Sequence, residues 1–188
     1  MSPDNLKHHR RSIRLPEYDY TQEGAYYITI CIRNRESLFG KISNGRMVLT
    51  KCGEIAERCW NVLPEFFPDV VLNEFVIMPN HFHGIIIITG DGRGLINQTP
   101  TTGIGDKWIL MKNPGQPLGK IIRHFKAQTA KYIHDAGFDH FRWQRNYWEH
   151  VIRNDQSCDK IRQYIIENPS YWGQDEENPE RKTFKERK

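Results

Sequence analysis

Three apolar runs restrict what this chain can fold into more than any other feature of its sequence. Residues 26–32 read YYITICI, residues 70–78 read VVLNEFVIM, and residues 84–90 read GIIIITG. Short runs of β-branched and aromatic residues bounded by turn residues predict strands. The third run has no polar alternation between Ile85 and Ile88, which is typical of a central strand covered on both faces. We therefore expect a sheet with a buried middle strand.

The helix and strand patterns follow one another in an order that is typical of an α+β protein. Thr50 predicts the N-cap of a helix, and Pro79-Asn80 predicts a break between two strands. The expected elements are strands at 25–33 and 47–49, a helix at 51–66, strands at 70–78 and 81–89, a helix at 117–135, a strand at 147–152 and a helix at 155–167. Hairpin-like links, and helices that do not strictly alternate with strands, predict an antiparallel sheet with helices packed on it.

The chain length fits one domain, which we expect to span residues 1–172 of the 188. Within it, residues 90–116 are rich in Gly, Thr, Asn and Pro, with little periodicity. A segment of this length and composition predicts a flexible insertion loop. Residues 173–188 mix acidic and basic side chains evenly, which predicts a polar, disordered tail.

Composition and charge exclude several classes of protein. No stretch approaches the roughly 18–20 apolar residues that a membrane span needs, and the polar, basic N-terminus lacks the apolar core of a secretory signal. The four cysteines have no C-x-x-C spacing, so we expect a reduced, cytoplasmic protein without disulfides or a zinc knuckle. The formal net charge of +4 permits a polyanionic partner without requiring one.

The first candidate for chemistry is the pair of histidines in His81-Phe82-His83, at the start of a predicted strand. Side chains alternate along a strand, so both imidazoles face one side and Phe82 faces the other. Two imidazoles at this spacing can bind one divalent ion. A bare H-x-H is more often two ordinary surface histidines, but this pair lies between a Pro-Asn break and an apolar strand. Its position predicts a site at the edge of a buried sheet.

A second candidate lies on the last predicted helix, in the sequence QYIIENPSYW (163–172). Tyr164 and Asn168 are four residues apart, so they lie on one helix face, one turn from each other. A phenol beside an amide oxygen suits a shared metal and phosphate. The residues alone leave open a half-buried packing role for Tyr164, and Tyr147 and Tyr171 are competing tyrosines nearby.

These segments together resemble a known family. At 76–88, VIMPNHFHGIIII resembles the HUH motif region of single-tyrosine transposases, and more closely that of the REP-associated tyrosine transposases. Three further segments resemble the same family: RRSIRLPEYDYTQEGAYYITICIRNR (10–35) its N-terminal segment and first strand, LGKIIRHFKAQTAKYI (118–133) its basic helix, and WQRNYWEHVIRNDQSCDKIRQYIIENP (143–169) its catalytic-helix region. The resemblance covers most of the chain, apart from residues 90–116 and the tail.

The resemblance implies a ferredoxin-like, RRM-like HUH nuclease fold and a role for each candidate residue. His81 and His83 would be ligands of a Mg²⁺ or Mn²⁺ ion, and Tyr164 would be the nucleophile. Asn168 would be a third, amide-type ligand. Glu167 is a possible substitute, although it points about 100° away from Asn168 on an ideal helix.

The implied activity is cleavage and rejoining of single-stranded DNA at hairpin or repeat sites through a 5′-phosphotyrosine intermediate. A domesticated, non-mobile relative that only binds hairpin repeats is the alternative, and the presence of the histidines and the tyrosine favours the enzyme. A third hypothesis is a replication-initiator nuclease of the same fold. It is disfavoured because the sequence has no helicase-like domain and no second tyrosine in a Y-x-x-x-Y arrangement. The resemblance leaves open whether the chain is a homodimer, as is usual for insertion-sequence relatives, or a monomer, as occurs among the REP-associated ones.

Cationic and aromatic side chains are the candidates for DNA contacts. Basic residues on one helix face are often no more than a solvated surface, and the resemblance raises the expectation of phosphate binding. An exposed tryptophan can stack on an unpaired base, although Trp143 is as well suited to the core. The predicted DNA-contact residues are Lys120, Arg123, Lys126 and Lys131 on the helix, Arg10, Arg11 and Arg14 near the N-terminus, and Trp148.

Overall fold

A computed structural model describes residues 23–89 and 118–181 of the chain. The elements are β1 (Gly24–Cys31), a 3-10 turn (Arg33–Arg35), β2 (Gly40–Ser43), β3 (Arg46–Leu49), α1 (Lys51–Asn61), α2 (Leu63–Phe66), β4 (Val70–Ile77), β5 (His81–Ile88), α3 (Leu118–Asp135), β6 (Trp148–Ile152), α4 (Asp155–Glu167) and a 3-10 helix (Asn168–Gln174). None of these helices is both long and apolar enough to cross a membrane.

Four strands form the central sheet in the order β4-β5-β1-β6, and each neighbouring pair is antiparallel. In chain order the sheet and its helices run β1-α1-β4-β5-α3-β6, which is the ferredoxin-like βαββαβ arrangement. Strands β2 and β3 form a separate hairpin. The expected α+β fold with an antiparallel sheet is confirmed.

One side of the sheet, which we call the α1/α3 face, carries the main apolar core. Phe82 of β5 is fully buried there against Trp60 of α1 and Phe125 of α3, with ring centroids 4.5 and 5.3 Å apart. Full burial of one such side chain contributes roughly 1.5–3 kcal/mol. The strand residues of this face include Tyr26, Ile28, Ile30, Phe82 and Ile86.

The other side, which we call the α4 face, has a smaller apolar cluster. Tyr27, Ile85 and Ile152 pack there against Cys158 and Ile165 of α4. Because side chains alternate along β1 and β5, each strand contributes to both faces. The α4 face carries the histidine pair, since His81 and His83 alternate with Phe82.

The predicted helix at 51–66 is divided into two. α1 ends at Asn61, and Val62 caps it before the short α2 begins at Leu63. Pro64 is the physical reason, because proline has no N–H to donate to the preceding turn. The predicted N-cap is confirmed, since the Thr50 side chain accepts a hydrogen bond from the Gly53 N–H. α4 has the bounds expected from the sequence. Strand β2 was not predicted.

The structure corrects the prediction of a disordered tail for residues 173–181. This segment begins with the last two residues of the 3-10 helix and then returns to the sheet, where the Glu177 carbonyl accepts a hydrogen bond from Asn80 (2.8 Å). Arg35 also binds this segment. Its guanidinium donates a hydrogen bond to the Glu176 carbonyl (2.9 Å) and forms an ion pair with the Glu177 carboxylate (2.6 Å). We call residues 173–181 the C-terminal strap.

Some predictions lie outside the described residues. They are the insertion loop at 90–116, the remaining tail at 182–188, and the candidate DNA contacts Arg10, Arg11 and Arg14. The division into a domain at 1–172 and a tail at 173–188 stays a prediction for the parts that fall there.

Candidate metal and tyrosine site

The two histidines of β5 meet in a buried pocket on the α4 face. His81 is fully buried and His83 is 3% exposed. Their Nε2 atoms lie 3.0 Å apart, and the ring planes make an angle of 71°. At this separation the two nitrogens can share one proton or one cation. The strand therefore brings together the pair that its spacing predicted.

Each imidazole is held through its other nitrogen. His81 Nδ1 lies 2.8 Å from the amide oxygen of Asn80. His83 Nδ1 lies 2.8 Å from both the Tyr27 hydroxyl and the Thr29 hydroxyl. Partners of this kind fix the ring orientation of histidines that bind metals.

Burial keeps both imidazoles neutral. Desolvation lowers the pKa of His83 to about 3. It also lowers the pKa of His81 well below its usual range, and the neighbouring His83 and Arg35 add to that effect. A neutral imidazole has a free nitrogen lone pair, which is the form that binds a metal.

Asp175 of the C-terminal strap completes a cluster that the sequence did not predict. Its side chain is 4% exposed, and one carboxylate oxygen lies 3.8 Å from His81 Nε2. Ligand atoms of His81, His83 and Asp175 all lie within 4.8 Å of one another, the only such group of three among the described residues. Burial raises the pKa of Asp175, and the hydrogen bond from the Glu177 N–H (2.6 Å) opposes part of that rise. Nothing in the acidic run from 175 to 177 distinguishes Asp175 from its two neighbours in the sequence.

Asn168 lies beside this cluster and brings a further oxygen. It is 3% exposed, and its amide oxygen is buried without a hydrogen-bond partner among the described residues. Hydrogen bonds from Asn168 lower the pKa values of Tyr164 and Asp175, against the larger effect of burial. An unpartnered buried oxygen is costly unless something else satisfies it. Two neutral imidazoles, a carboxylate and a free amide oxygen form a donor set that suits a divalent cation.

Tyr164 of α4 lies next to the histidines and remains open to solvent. It is 49% exposed, and its ring centroid lies 5.6 Å from that of His83. Burial of the hydroxyl end and the nearby Asp175 both raise its pKa. A cavity of about 600 Å³ opens beside it, lined among others by Lys160, Asn168 and Tyr171. The phenol is thus placed between a buried polar cluster and a space for a substrate.

The competing tyrosines are placed differently. Tyr171 is 55% exposed and lines the same cavity. Tyr147 packs against the core of the α1/α3 face. Tyr27 is nearer, but it is buried and its hydroxyl contacts His83. Among these side chains, only Tyr164 combines an open ring with contact to the histidine pair.

The basic residues of α3 are not brought to this site, because α3 packs on the opposite side of the sheet. Lys120 and Arg123 lie on its exposed surface. Lys126 is turned inward and donates to the carbonyls of 144–146, with 2.5 Å to that of Gln144, and burial lowers its pKa to about 8. Lys131 pairs with Asp135 at 2.6 Å.

Trp148, in contrast, lies on the α4 face near the histidines. It is 45% exposed, and its ring meets that of Tyr27 edge-on at 5.5 Å. The ring of His150 lies parallel to it, within 5°, at 6.0 Å. Trp143, by comparison, packs in the core against Phe39 and Phe125.

The sheet topology and the helices packed on it define a fold found in transposases. The structure of a REP-associated tyrosine transposase bound to a REP hairpin matches this chain with a TM-score of 0.53 at 23% identity, over 82% of this chain and 73% of that one. A protein of Haemophilus influenzae described as a "Putative REP-associated tyrosine transposase" is 26% identical over 156 residues, which are 80% of this chain and 73% of that protein. The comparisons thus confirm the resemblance to REP-associated tyrosine transposases that the sequence motifs predicted, in fold and in sequence.

A second Haemophilus influenzae protein is more similar, although its function is not described. It is 45% identical over 169 residues, which cover 90% of this chain and 93% of that protein. No family model matches the sequence.

Proposed function

We propose that this chain is a metal-dependent endonuclease and strand transferase that acts on single-stranded DNA at hairpin or repeat sites. The observation that carries the proposal is the 3.0 Å contact between the Nε2 atoms of His81 and His83, in a buried pocket beside Tyr164. Neutral imidazoles that converge in this way suit one divalent cation. A phenol beside them suits covalent attack on a phosphate.

His81 and His83 would hold the ion, Mg²⁺ or Mn²⁺, together with Asp175 and the amide oxygen of Asn168. Oxygen and imidazole donors are compatible with either ion. A bound divalent cation acts as a Lewis acid on a phosphodiester and stabilises charge on its oxygens. The acidic partner proposed here is Asp175, which adds to the ligands that the family resemblance implied.

Tyr164 would be the nucleophile. Its oxygen forms a bond to the scissile phosphorus while the bond to the 3′ oxygen breaks, and the leaving oxygen takes up a proton to become a free 3′-hydroxyl. The phenol proton leaves to solvent on the exposed side of the ring. Because burial and Asp175 raise the pKa of Tyr164, the phenol stays protonated at neutral pH until positive charge enters the pocket.

The tyrosyl ester conserves the energy of the broken bond. Attack by another 3′-hydroxyl on the 5′-phosphotyrosine link reverses the chemistry and joins DNA strands without ATP. The same residues would thus serve both cutting and strand transfer.

We propose that the unpaired part of the DNA lies along the α4 face. The rings of Tyr164 and Trp148 both contact that of Tyr27, with centroids 6.3 and 5.5 Å away, and the exposed ring of Trp148 is one on which a base can stack. Lys120 and Arg123 on α3 lie away from this face and would contact phosphates of the duplex part of the DNA. Arg10, Arg11 and Arg14 are proposed as further phosphate contacts. A related structure described as bound to a REP hairpin supports hairpin DNA as the substrate.

The test is formation of a covalent adduct between the protein and labelled hairpin DNA in the presence of Mn²⁺, resolved under denaturing conditions. We expect an adduct with the unaltered protein and none with Tyr164→Phe, which should still bind the DNA. Tyr171→Phe, a tyrosine of the same cavity, is the matched control and should keep the adduct. An adduct that survives Tyr164→Phe but not Tyr171→Phe would move the nucleophile to Tyr171.

A second test addresses the ion. His81→Ala and His83→Ala should each abolish adduct formation and weaken Mn²⁺ binding while the protein remains folded. Unchanged cleavage in either variant would refute the ligand assignment. If the unaltered protein binds hairpin DNA but neither binds Mn²⁺ nor forms an adduct, the alternative of a binding protein without cleavage is correct.

A further inference from the structure

Asn80, at the break before β5, is held in place by its backbone surroundings. It is fully buried. Its carbonyl accepts a hydrogen bond from the Ile32 N–H (2.8 Å), and the carbonyl of Pro79 accepts one from the Phe39 N–H (3.0 Å). The side chain therefore projects from a fixed point next to His81.

The side-chain amide of Asn80 makes three hydrogen bonds. Its nitrogen donates to the carbonyls of Arg35 (3.1 Å) and Glu177 (2.8 Å). Because an amide nitrogen donates and an amide oxygen only accepts, these two carbonyls fix which end of the amide faces His81. The oxygen faces His81 Nδ1 at 2.8 Å, so Nδ1 carries the proton. The lone pair of His81 is then on Nε2, facing His83.

The same amide also reaches Asp175, through the peptide group of Glu177. The Glu177 carbonyl accepts from Asn80, while the Glu177 N–H donates to the Asp175 carboxylate (2.6 Å). The other Asp175 oxygen returns to His81 Nε2 at 3.8 Å. Contacts thus run in a closed ring from His81 through Asn80, Glu177 and Asp175 back to His81.

Asparagine meets a requirement here that no acidic or apolar residue meets. The position needs one acceptor for an imidazole N–H and donors for two carbonyls. An aspartate would keep the acceptor and lose both donors, and an alanine would lose all three contacts.

We propose that Asn80 is a positioning residue that couples the two parts of the metal site, fixing the tautomer of His81 with its oxygen and holding the strap that carries Asp175 with its nitrogen. This inference rests on the proposed metal site, but the hydrogen bonds that carry it join protein groups alone. Removing the hydrogen-bond partner of a metal-binding histidine typically weakens metal binding by about 10–100-fold.

Three variants separate the two actions of the amide. Asn80→Ala removes both, Asn80→Asp keeps the acceptor and removes the donors, and Asn73→Asp is a matched control. Asn73 lies on β4, and its oxygen accepts from Arg162 Nε (2.8 Å), a contact that an aspartate retains. For each protein, ¹⁵N NMR of the imidazoles reports the His81 tautomer, hydrogen exchange reports the backbone amides of Asp175, Glu177 and Asn178, and titration reports Mn²⁺ affinity.

We expect His81 of the unaltered, metal-free protein to carry its proton on Nδ1. Asn80→Asp should keep that tautomer while exchange in the strap rises about tenfold or more. Asn80→Ala should lose both the Nδ1 tautomer of His81 and the slow exchange of the strap, and it should weaken Mn²⁺ binding at least tenfold. Asn73→Asp should behave like the unaltered protein in all three measurements.

Two results would overturn the proposal. One is a proton on Nε2 of His81 in the unaltered protein, a measurement that needs no variant to fold. The other is an Asn80→Asp protein whose strap exchanges as slowly as before. Failure of the unaltered protein to bind Mn²⁺ would count against the proposed function instead, because tautomer and exchange are read without metal.

Discussion

The two faces of the sheet use the same strands for different purposes. On the α1/α3 face, Phe82 is packed among aromatic rings of both helices. On the α4 face, its neighbours His81 and His83 contact Asn80, Tyr27 and each other through hydrogen bonds. One face is apolar and packed for stability, and the other keeps buried polar atoms close together at a cost in desolvation.

In this sheet, a side-chain period of two residues is enough to separate the positions that stabilise the fold from those that carry the chemistry. Neighbouring residues of β5 are less than one strand spacing apart but belong to different faces. Substitutions at consecutive positions should therefore have different kinds of effect.

The largest effect on stability is expected from Phe82→Ala. Loss of a fully buried phenylalanine with three aromatic neighbours (Trp60, Phe75 and Phe125) should lower the free energy of unfolding by about 3–5 kcal/mol. Urea denaturation measures it. His83→Ala, at the next position, should cost less than half as much while abolishing the DNA adduct. Equal destabilisation by both variants would contradict the division between the faces.

The next largest effect should come from acid. His83 has a pKa of about 3 in the folded protein and about 6.5 as its ordinary value, so between these values the unfolded chain binds more protons. Stability contributed by the neutral imidazole is complete above pH 6.5 and is lost as the pH falls toward 3. We expect a loss of about 2–3 kcal/mol between about pH 6.5 and 4.5.

Denaturant titrations at several pH values test this expectation. The variant His83→Gln removes the titrating group, so its stability should vary less over the same range. A pH profile identical to that of the unaltered protein would show that His83 is not the group responsible.

A smaller effect is expected from Gly84→Ala, which adds a methyl group to the packed face. A Cβ atom there would lie 2.7 Å from the Trp60 ring and 2.8 Å from the Phe82 ring. Overpacking of this kind costs roughly 1–3 kcal/mol. Gly173→Ala is the control, since nothing lies within 4 Å of its added Cβ. Similar melting temperatures for the two variants would contradict the tight packing at Gly84.

The smallest effect should be on DNA affinity. It is tested by substituting one exposed aromatic residue on each side of the sheet. Trp148 on β6 is 45% exposed near the histidines, and Tyr132 on α3 is 49% exposed on the other side. Stacking on one base contributes about 1–3 kcal/mol, so Trp148→Ala should weaken binding of single-stranded DNA about tenfold, as fluorescence anisotropy measures. Tyr132→Ala should change the DNA affinity less than twofold. A larger loss of affinity in Tyr132→Ala than in Trp148→Ala would place the DNA on the α3 side of the sheet.

Much of the fold was predictable because its signals are local. The apolar runs, the Pro-Asn break and the N-cap at Thr50 lie within a few residues of what they specify, and α4 has the expected bounds. The helix break before Pro64 was also readable in principle, since proline disfavours a continuous helix.

The candidate site was only partly predictable, because some of its contacts are distant in sequence. Alternation places His81 beside His83, and helix spacing places Tyr164 beside Asn168. Asp175 reaches His81 across more than ninety positions, from a segment whose mixed charges resemble a solvated tail. The position of the Lys126 side chain was not predictable either, since its place on a basic helix gave no sign of its hydrogen bonds to backbone carbonyls.

The C-terminal strap has a practical consequence for where this chain can be shortened. A version that stops at Trp172, at the limit of the domain expected from sequence, would keep every strand and helix of the sheet and its main core. It would lack Asp175 and the Glu177 carbonyl that orients Asn80. Such a protein would keep the residues of the sheet and its main core while lacking part of the proposed metal site, so inactivity after trimming would reflect the missing strap rather than a lack of activity in the full chain.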